Sequence, residues 1–480
     1  MLLLSLFLPT ASAADYNCDG YDDLLIGAPD EGASPYGYVH VLYGSGTGLT
    51  ASGDDWINQA TASVEGTVES GENFGAAVGA GDFDNDGCDD LAVGAPDGAS
   101  GGEVNVLRGS SYGVSTSYDQ LWSQDTSGVE GGSEAEDNFG STVETGDFDG
   151  DGYADLAIGN YTEALGSATS AGAVNVLYGT SGGLSATDDQ VWYRGYNGMN
   201  GSAAFGAALG IALAAGDFNG DGRDDLAMGG DGDAGAGSVA VLYGSTTGLS
   251  GSGDQNWHQD ISGISGTAEA SDWFGRSLAA CDFDDDGYAD LAVGAYRETE
   301  VTSEDGVVHV LYGTSGGLSA SGNQLWSRED AGMPNGDGYW FGFSLGCGDL
   351  NGDDYADLAI GSLDTVDDGW GTVTILYGSS GGITTAGAYL FDWTLAPTST
   401  FLGSSLGLGD YDGDGYDDVS VGYSTEDPYA PSGDWGGVLT LYGSALGVTS
   451  SGAEDWNLET SGVQGSTSSG SSAEFGFAIH

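Results

Sequence analysis

Seven copies of one acidic loop, D-x-[DN]-x-D-[GD]-x-x-D-[LV], recur about every 66 residues along the chain. They begin at Asp15, Asp82, Asp147, Asp217, Asp282, Asp349 and Asp410. A unit repeated in register over a whole chain buries its apolar faces only against its neighbours, so the repeat sets the architecture.

The loop itself is built to hold a hard cation. In Asp82-Phe83-Asp84-Asn85-Asp86-Gly87-Cys88-Asp89-Asp90, the carboxylates at positions 1, 3, 5 and 9 and the carbonyl at position 7 can converge on one Ca²⁺. Gly87, at position 6, permits the sharp turn that folds the loop around the ion. All-oxygen ligation at this spacing favours Ca²⁺ over Mg²⁺, which prefers a tighter octahedron and keeps more water. By this register the second loop offers Asp82, Asp84, Asp86, Cys88 and Asp90, and the third offers Asp147, Asp149, Asp151, Tyr153 and Asp155. The fifth offers Asp282, Asp284, Asp286, Tyr288 and Asp290, and the seventh Asp410, Asp412, Asp414, Tyr416 and Asp418. Three loops have Asn at position 3, which keeps an oxygen and loses a charge. These are the first (Asp15, Asn17, Asp19, Tyr21, Asp23), the fourth (Asp217, Asn219, Asp221, Arg223, Asp225) and the sixth (Asp349, Asn351, Asp353, Tyr355, Asp357). The sixth also has Asp354 where the others have Gly, so its turn is expected to be strained and its site the weakest. A solvated acidic turn would explain one copy, but not seven in register. Up to seven structural Ca²⁺ ions are expected.

After each loop comes a short apolar run ending in Gly, such as LAVGAP from Leu91, then an alternating strand such as VNVLYG ending at Gly179. Repeat two breaks that strand's ending, with Arg108 in place of Tyr. A third segment carries one Trp per repeat: Trp56, Trp122, Trp192, Trp257, Trp326, Trp393 and Trp456. A fourth opens with Phe-Gly at Phe74, Phe139, Phe205, Phe274, Phe341 and Phe475, with Phe401-Leu402-Gly403 as an irregular copy. Four short strands per unit, Gly-rich turns and no helical periodicity describe an all-β propeller of seven four-stranded blades. In most repeats the Phe of Phe-Gly precedes the first loop Asp by 8 residues. Counted on from Phe475, that spacing runs past His480 and meets Asp15, one missing position away. The C-terminal strand is therefore expected to complete the N-terminal blade and close the ring, with residues 14–480 as a single domain.

Phe-Gly, the D-x-D-x-D-G loop and Gly-Ala-Pro stand in order from Asn73 to Pro96, NFGAAVGAGDFDNDGCDDLAVGAP. This resembles the FG-GAP repeat of the integrin alpha-chain propeller and its bacterial relatives, over the whole chain after residue 13. The resemblance implies a calcium-bearing propeller used for binding. Integrin propellers load only some blades, whereas every repeat here has a loop. No stalk, membrane anchor or partner-chain signature accompanies it, so heterodimeric adhesion is not implied.

Six Lys and Arg residues against 74 Asp and Glu give a formal charge of −68. Seven divalent cations would offset only a small part of it, which argues against nucleic-acid and anionic-membrane partners. Met1–Ala13 reads as a signal peptide, with an apolar Leu2–Leu8 core and Ala11-Ser12-Ala13 as the cleavage site, but without the usual basic start. It is too short to span a bilayer, and the expected location is secreted or at the cell surface. An oxidising compartment would permit disulfides, and Cys18 with Cys88, and Cys281 with Cys347, are the neighbours expected to pair.

No catalytic constellation stands out, and no enzyme is expected. G-x-S-x-G occurs at Gly109–Gly113, Gly179–Gly183, Gly378–Gly382 and Gly403–Gly407, none on the strand-to-helix turn of a nucleophile elbow. His40 and His309 occupy equivalent strand positions, which points to structural roles. Strand directions alternate, so the acidic loops share one face of the ring. The loops between strands two and three, and between blades, share the other. Four Trp outside the blade pattern, Trp273, Trp340, Trp370 and Trp435, map to that second face, with Tyr296, Arg297, Tyr339, Tyr423 and Tyr429 in or near the same loops. They could stack on sugars or anchor a protein, or pack locally under their own loops. The expected function is an extracellular binding or adhesion module, followed by a carbohydrate-binding lectin and then a structural envelope component.

Overall fold

The computed structural model describes residues 14–29, 31, 36–98, 101–298, 305–332, 339–364, 371–392, 401–423, 436–465 and 475–480. These form seven four-stranded antiparallel sheets, six of them in sequence order from the inside of the ring outward and the first with the C-terminal strand innermost. In the second blade the strands are Ala77–Gly81, Asp90–Ala95, Glu103–Arg108 and Ser115–Trp122. The described residues contain no α-helix, only a single 3₁₀ turn at Asp233–Gly235.

Composition grades across a blade. The inner strands are built of Ala, Gly and Val because neighbouring blades converge there: a methyl on Gly81 would stand 2.9 Å from the Ala154 Cβ of the next blade. Strands two and three are buried on both faces and read as continuous apolar runs. The outermost strands are partly buried, most exposed at mid-strand, and end in a Trp. Trp122, Trp192, Trp257 and Trp456 are buried there. Trp326 is partly buried in the same way, and Trp56 stacks on Tyr38 with ring centroids 4.4 Å apart. Trp393 lies outside the described residues.

The core lies between blades. Val104, Val106 and Trp122 of blade two pack with Phe139, Val143 and Ile158 of blade three, and the other large clusters likewise join successive blades. The Gly of Phe-Gly sits in each junction. Gly75 donates its N–H to the Gly94 carbonyl of its own blade at 2.9 Å. On its other side, a Cβ on Gly27 of blade one would meet the Gly75 carbonyl oxygen at 2.1 Å. Only Gly fits at either position.

The ring closes as expected. Ala478–Ile479 pairs with Gly27 and Ile26, the inner position of the first blade, and His480 exchanges main-chain bonds with Leu25. One expectation fails. Phe205 is 80% exposed, and the place of Phe-Gly in the fourth blade is taken by Leu209-Gly210, bridged to Gly172 as Phe139 is to Gly102. Leu402-Gly403 fills the same place in the seventh blade, where the Gly403 N–H bonds the Gly422 carbonyl. An apolar side chain 8 residues before the loop is what the junction requires, and an aromatic ring is not essential.

Candidate metal centres and the opposite mouth

All seven loops fold alike. The position-1 Asp accepts the N–H of position 5 on one oxygen and of position 6 on the other, at 3.0 and 2.8 Å for Asp82. Positions 4 and 6 are left-handed in every copy, as at Asn85 (φ 52°) and Gly87 (φ 94°). Asp354 takes this conformation at φ 71°, the one copy in which position 6 carries a side chain.

Position 9 is a buried clamp. One oxygen of Asp155 accepts the Gly179 N–H at 2.8 Å, and the other accepts the Phe148 N–H at 2.9 Å. The same pair of bonds recurs in every loop except the second, where Asp90 Oδ2 is buried without a partner. Position-3 oxygens are orphaned in the same way: Asn17 Oδ1, Asp84 Oδ1 and Asp284 Oδ1 are buried and unpartnered. In three loops (Asp82, Asp84, Asp86; Asp147, Asp149, Asp155; Asp282, Asp284, Asp290) the carboxylate oxygens lie within 4.8 Å of one another. Burial, reinforced by the neighbouring loop acids, pushes Asp23, Asp90, Asp155, Asp225, Asp290 and Asp418 up to about 8 and Asp357 to about 7. Buried acceptors facing one another in this way suit a hard cation.

The copies differ in the charge they bring. Loops two, three, five and seven keep all four carboxylates. Asn219 and Asn351 turn their amide nitrogens toward Asp225 and Asp357, at 3.1 to 3.3 Å. The Arg223 guanidinium lies 3.2 Å from Asp221, and Arg108 forms an ion pair with Asp84 in loop two.

Position 8 was not among the expected ligands, and it joins the loops to one another. Its N–H donates to the position-1 carbonyl of the preceding loop all round the ring, from Ala154 to Asp82 at 3.1 Å and from Asp22 to Asp410 at 3.3 Å. Where the residue is Asp, its carboxylate also accepts that loop's position-1 N–H: Asp89 from Asp15, Asp224 from Asp147, Asp417 from Asp349 and Asp22 from Asp410, at 2.7 to 2.9 Å. Ala154, Ala289 and Ala356 leave the other three junctions without it. The signal was available as the alternation of D-D and A-D at the end of the motif. Cys18 and Cys88 are bonded across one junction, and Cys281 and Cys347 join the inner strands of blades five and six.

On the opposite face, Trp273 and Trp340 fall into one aromatic cluster. Tyr296 lies at its centre, 5.4 Å from each of them and 5.1 Å from Phe343. Tyr296 and Phe343 are buried, while the two Trp are half-buried. The Arg297 guanidinium stands 4.4 Å above the Trp273 ring, and Arg276 reaches Asp231 of the neighbouring blade at 2.9 Å. Tyr423 is buried in its own blade. Trp370, Trp435 and Tyr429 lie outside the described residues.

An FG-GAP repeat model matches residues 7–42, 74–107, 139–177, 209–242, 274–311 and 402–442. These six stretches are a little under half of the chain and omit the repeat containing Asp354. A rat phosphatidylinositol-glycan-specific phospholipase D is 37% identical over 157 residues, 31% of this chain and 17% of that protein. Integrin alpha-5 of Xenopus laevis is 36% identical over 170 residues, 33% of this chain and 15% of that one. Integrin alpha-PS2 of Drosophila melanogaster is 32% identical over 234 residues, 46% of this chain and 15% of that one. The chain thus spans under a fifth of the length of these relatives. Among the described residues no helix is long and apolar enough to cross a membrane.

Proposed function

Because the chain is a seven-bladed propeller of FG-GAP repeats with relatives among the integrin alpha chains, we propose that it is an extracellular, calcium-stabilised binding module. Calcium is placed in the loops through Asp82, Asp84, Asp86 and Asp90 and their counterparts, with the position-7 carbonyl completing each set. Its role is structural: the ion neutralises acids that burial and mutual repulsion otherwise keep from ionising. Two disulfides favour an oxidising compartment, in line with Met1–Ala13 as an export segment.

The observation that carries the binding role is an asymmetry. The acidic face repeats seven times, whereas among the described residues the aromatic cluster of Trp273, Tyr296 and Trp340, with its arginine, occurs once. A single anchoring patch suits one protein partner better than the several equivalent pockets of a multivalent lectin. The test is calcium-loaded protein on immobilised extracellular-matrix proteins and on a glycan array, with Trp340→Ala and Arg297→Glu alongside. Capture by a matrix protein, weakened at least tenfold in both variants at unchanged melting, supports the reading. A sugar hit at several sites per chain would make it a lectin, and binding indifferent to both substitutions would remove the mouth from consideration. No catalytic role is proposed.

A further inference from the structure

Away from the acidic loops, the outer ends of two blade junctions gather a second kind of acidic cluster. Between blades two and three, oxygens of Glu134, Asp137 and Glu163 lie within 4.8 Å of one another; between blades four and five, those of Glu269, Asp272 and Glu298 do the same. Four of these six acids are buried, although no loop motif places them. We propose that each cluster holds a divalent cation, with the amide oxygen of Gln124 completing the first site and that of Gln259 the second.

Two observations beyond the clustering support this. Gln124 and Gln259 are 4% and 2% exposed, and each points its amide at the cluster, Gln124 Nε2 lying 2.9 Å from Glu163 Oε2 and Gln259 Nε2 bonding Glu298. Yet the Oε1 of each is buried without a partner, as is Oδ1 of the fully buried Asn160, whose amide nitrogen also faces Glu163. Rotating these amides would turn orphaned oxygens toward an ion, and amide orientation follows whatever occupies the site. The second observation is the junction between blades three and four, where the chain supplies a cation of its own. Arg194 stands two residues after Trp192, as Gln124 does after Trp122 and Gln259 after Trp257. Its guanidinium lies 3.0 Å from Asp233, the counterpart of Glu163 and Glu298, and 2.7 Å from Ser238 Oγ. The segment before Leu209, Ser202-Ala203-Ala204-Phe205, lacks the acids found at Glu134 and Asp137. The Arg194 junction has one such carboxylate, and each of these two Gln junctions has three. Without an ion, burial pushes Asp137 up to about 6 and Glu163 up to about 7, so proton uptake is the competing way to neutralise the cluster.

The test is bound calcium per chain, measured by equilibrium dialysis at pH 7.5 on the full chain and on a Gln124→Arg, Gln259→Arg double variant. Arginine at these positions copies Arg194, so the fold is expected to survive and two fewer ions to bind. The loops contribute equally to both proteins, so the difference stands whatever they hold. A Glu163→Gln, Glu298→Gln pair gives the same reading if the arginine variant does not fold. An unchanged count in a folded variant overturns the proposal and leaves protonated clusters in its place.

Discussion

His309 shows how a single residue can be understood from its place in the repeat. It occupies the third-strand position held elsewhere by Asn105 and Asn175, is fully buried, and meets the Phe274 ring edge-on. Burial pushes its pKa down from 6.5 to about 3. The fold therefore holds it neutral, and that contribution is complete above pH 6.5 and lost as pH falls toward 3, at about 1.4 kcal/mol per pH unit. His309→Asn, which adopts the residue of two other blades, should reduce the loss of stability between pH 7 and pH 5 relative to the wild type. Urea midpoints at the two pH values would measure it, and parallel shifts in both proteins would refute it. His40 sits at the same position in blade one but bonds Glu31 at 2.7 Å, so an equal position does not give an equal environment. Reading the sequence reached the structural role of both histidines, but the partners come from loops whose packing it does not specify.

At the scale of elements, the latch between blades was the least legible feature. In five blades the Tyr that ends strand three accepts a main-chain N–H from the next blade's outer turn, as Tyr178 does from Leu249 at 3.1 Å. Arg108 cannot serve, because its guanidinium is drawn to Asp84. Gln120 replaces it, with Oε1 accepting the Leu184 N–H at 3.0 Å and Nε2 donating to the Leu184 carbonyl at 2.9 Å. Gln120→Ala should therefore cost about 1–3 kcal/mol, the price of leaving a buried donor unmet. Gln190→Ala should cost less, since Tyr178 still holds its N–H, and equal losses in denaturant midpoints would contradict the latch. The same contrast marks what the sequence could reveal. Loops, strand order and ring closure follow from spacing alone, because each depends on residue types that only one geometry accommodates. Phe205-Gly206 looked like a junction Phe-Gly because the letters matched; the 8-residue spacing that selects Leu209 was the better guide. Position 8 is not legible in this way, because a carboxylate that bonds a neighbour's backbone looks, in sequence, like one more loop acid.

For the whole molecule, the proposed calcium sites should stabilise the ring together. Each site held at a hundred times its Kd adds about 2.7 kcal/mol, so a chelator should lower the melting temperature markedly, in one cooperative step, since every loop is bonded to the next. Unchanged melting after verified removal of calcium would contradict the structural role. The pH response should also depend on calcium. With the ions gone, carboxylates such as Asp155, raised to about 8 by burial, favour the fold only while protonated, so stability should fall as pH rises from about 4 to about 8. With calcium saturating, that slope should flatten.

The seam that closes the ring has a mechanical meaning. Ala478–Ile479 runs antiparallel to Leu24–Ala28, and His480 finishes beside the loop that Asp15 begins, so Ala14, the first described residue, and His480 both lie on the acidic side of the disc. A load drawn between them would open this pair of strands as a zipper opens, one bond at a time, and would not shear them all at once. Tension applied there meets the weakest direction the sheet offers, whereas a pull across the disc is spread over seven bonded junctions. A load applied at Ala14 and His480 would thus find a release point, and a grip on the rim a firm hold.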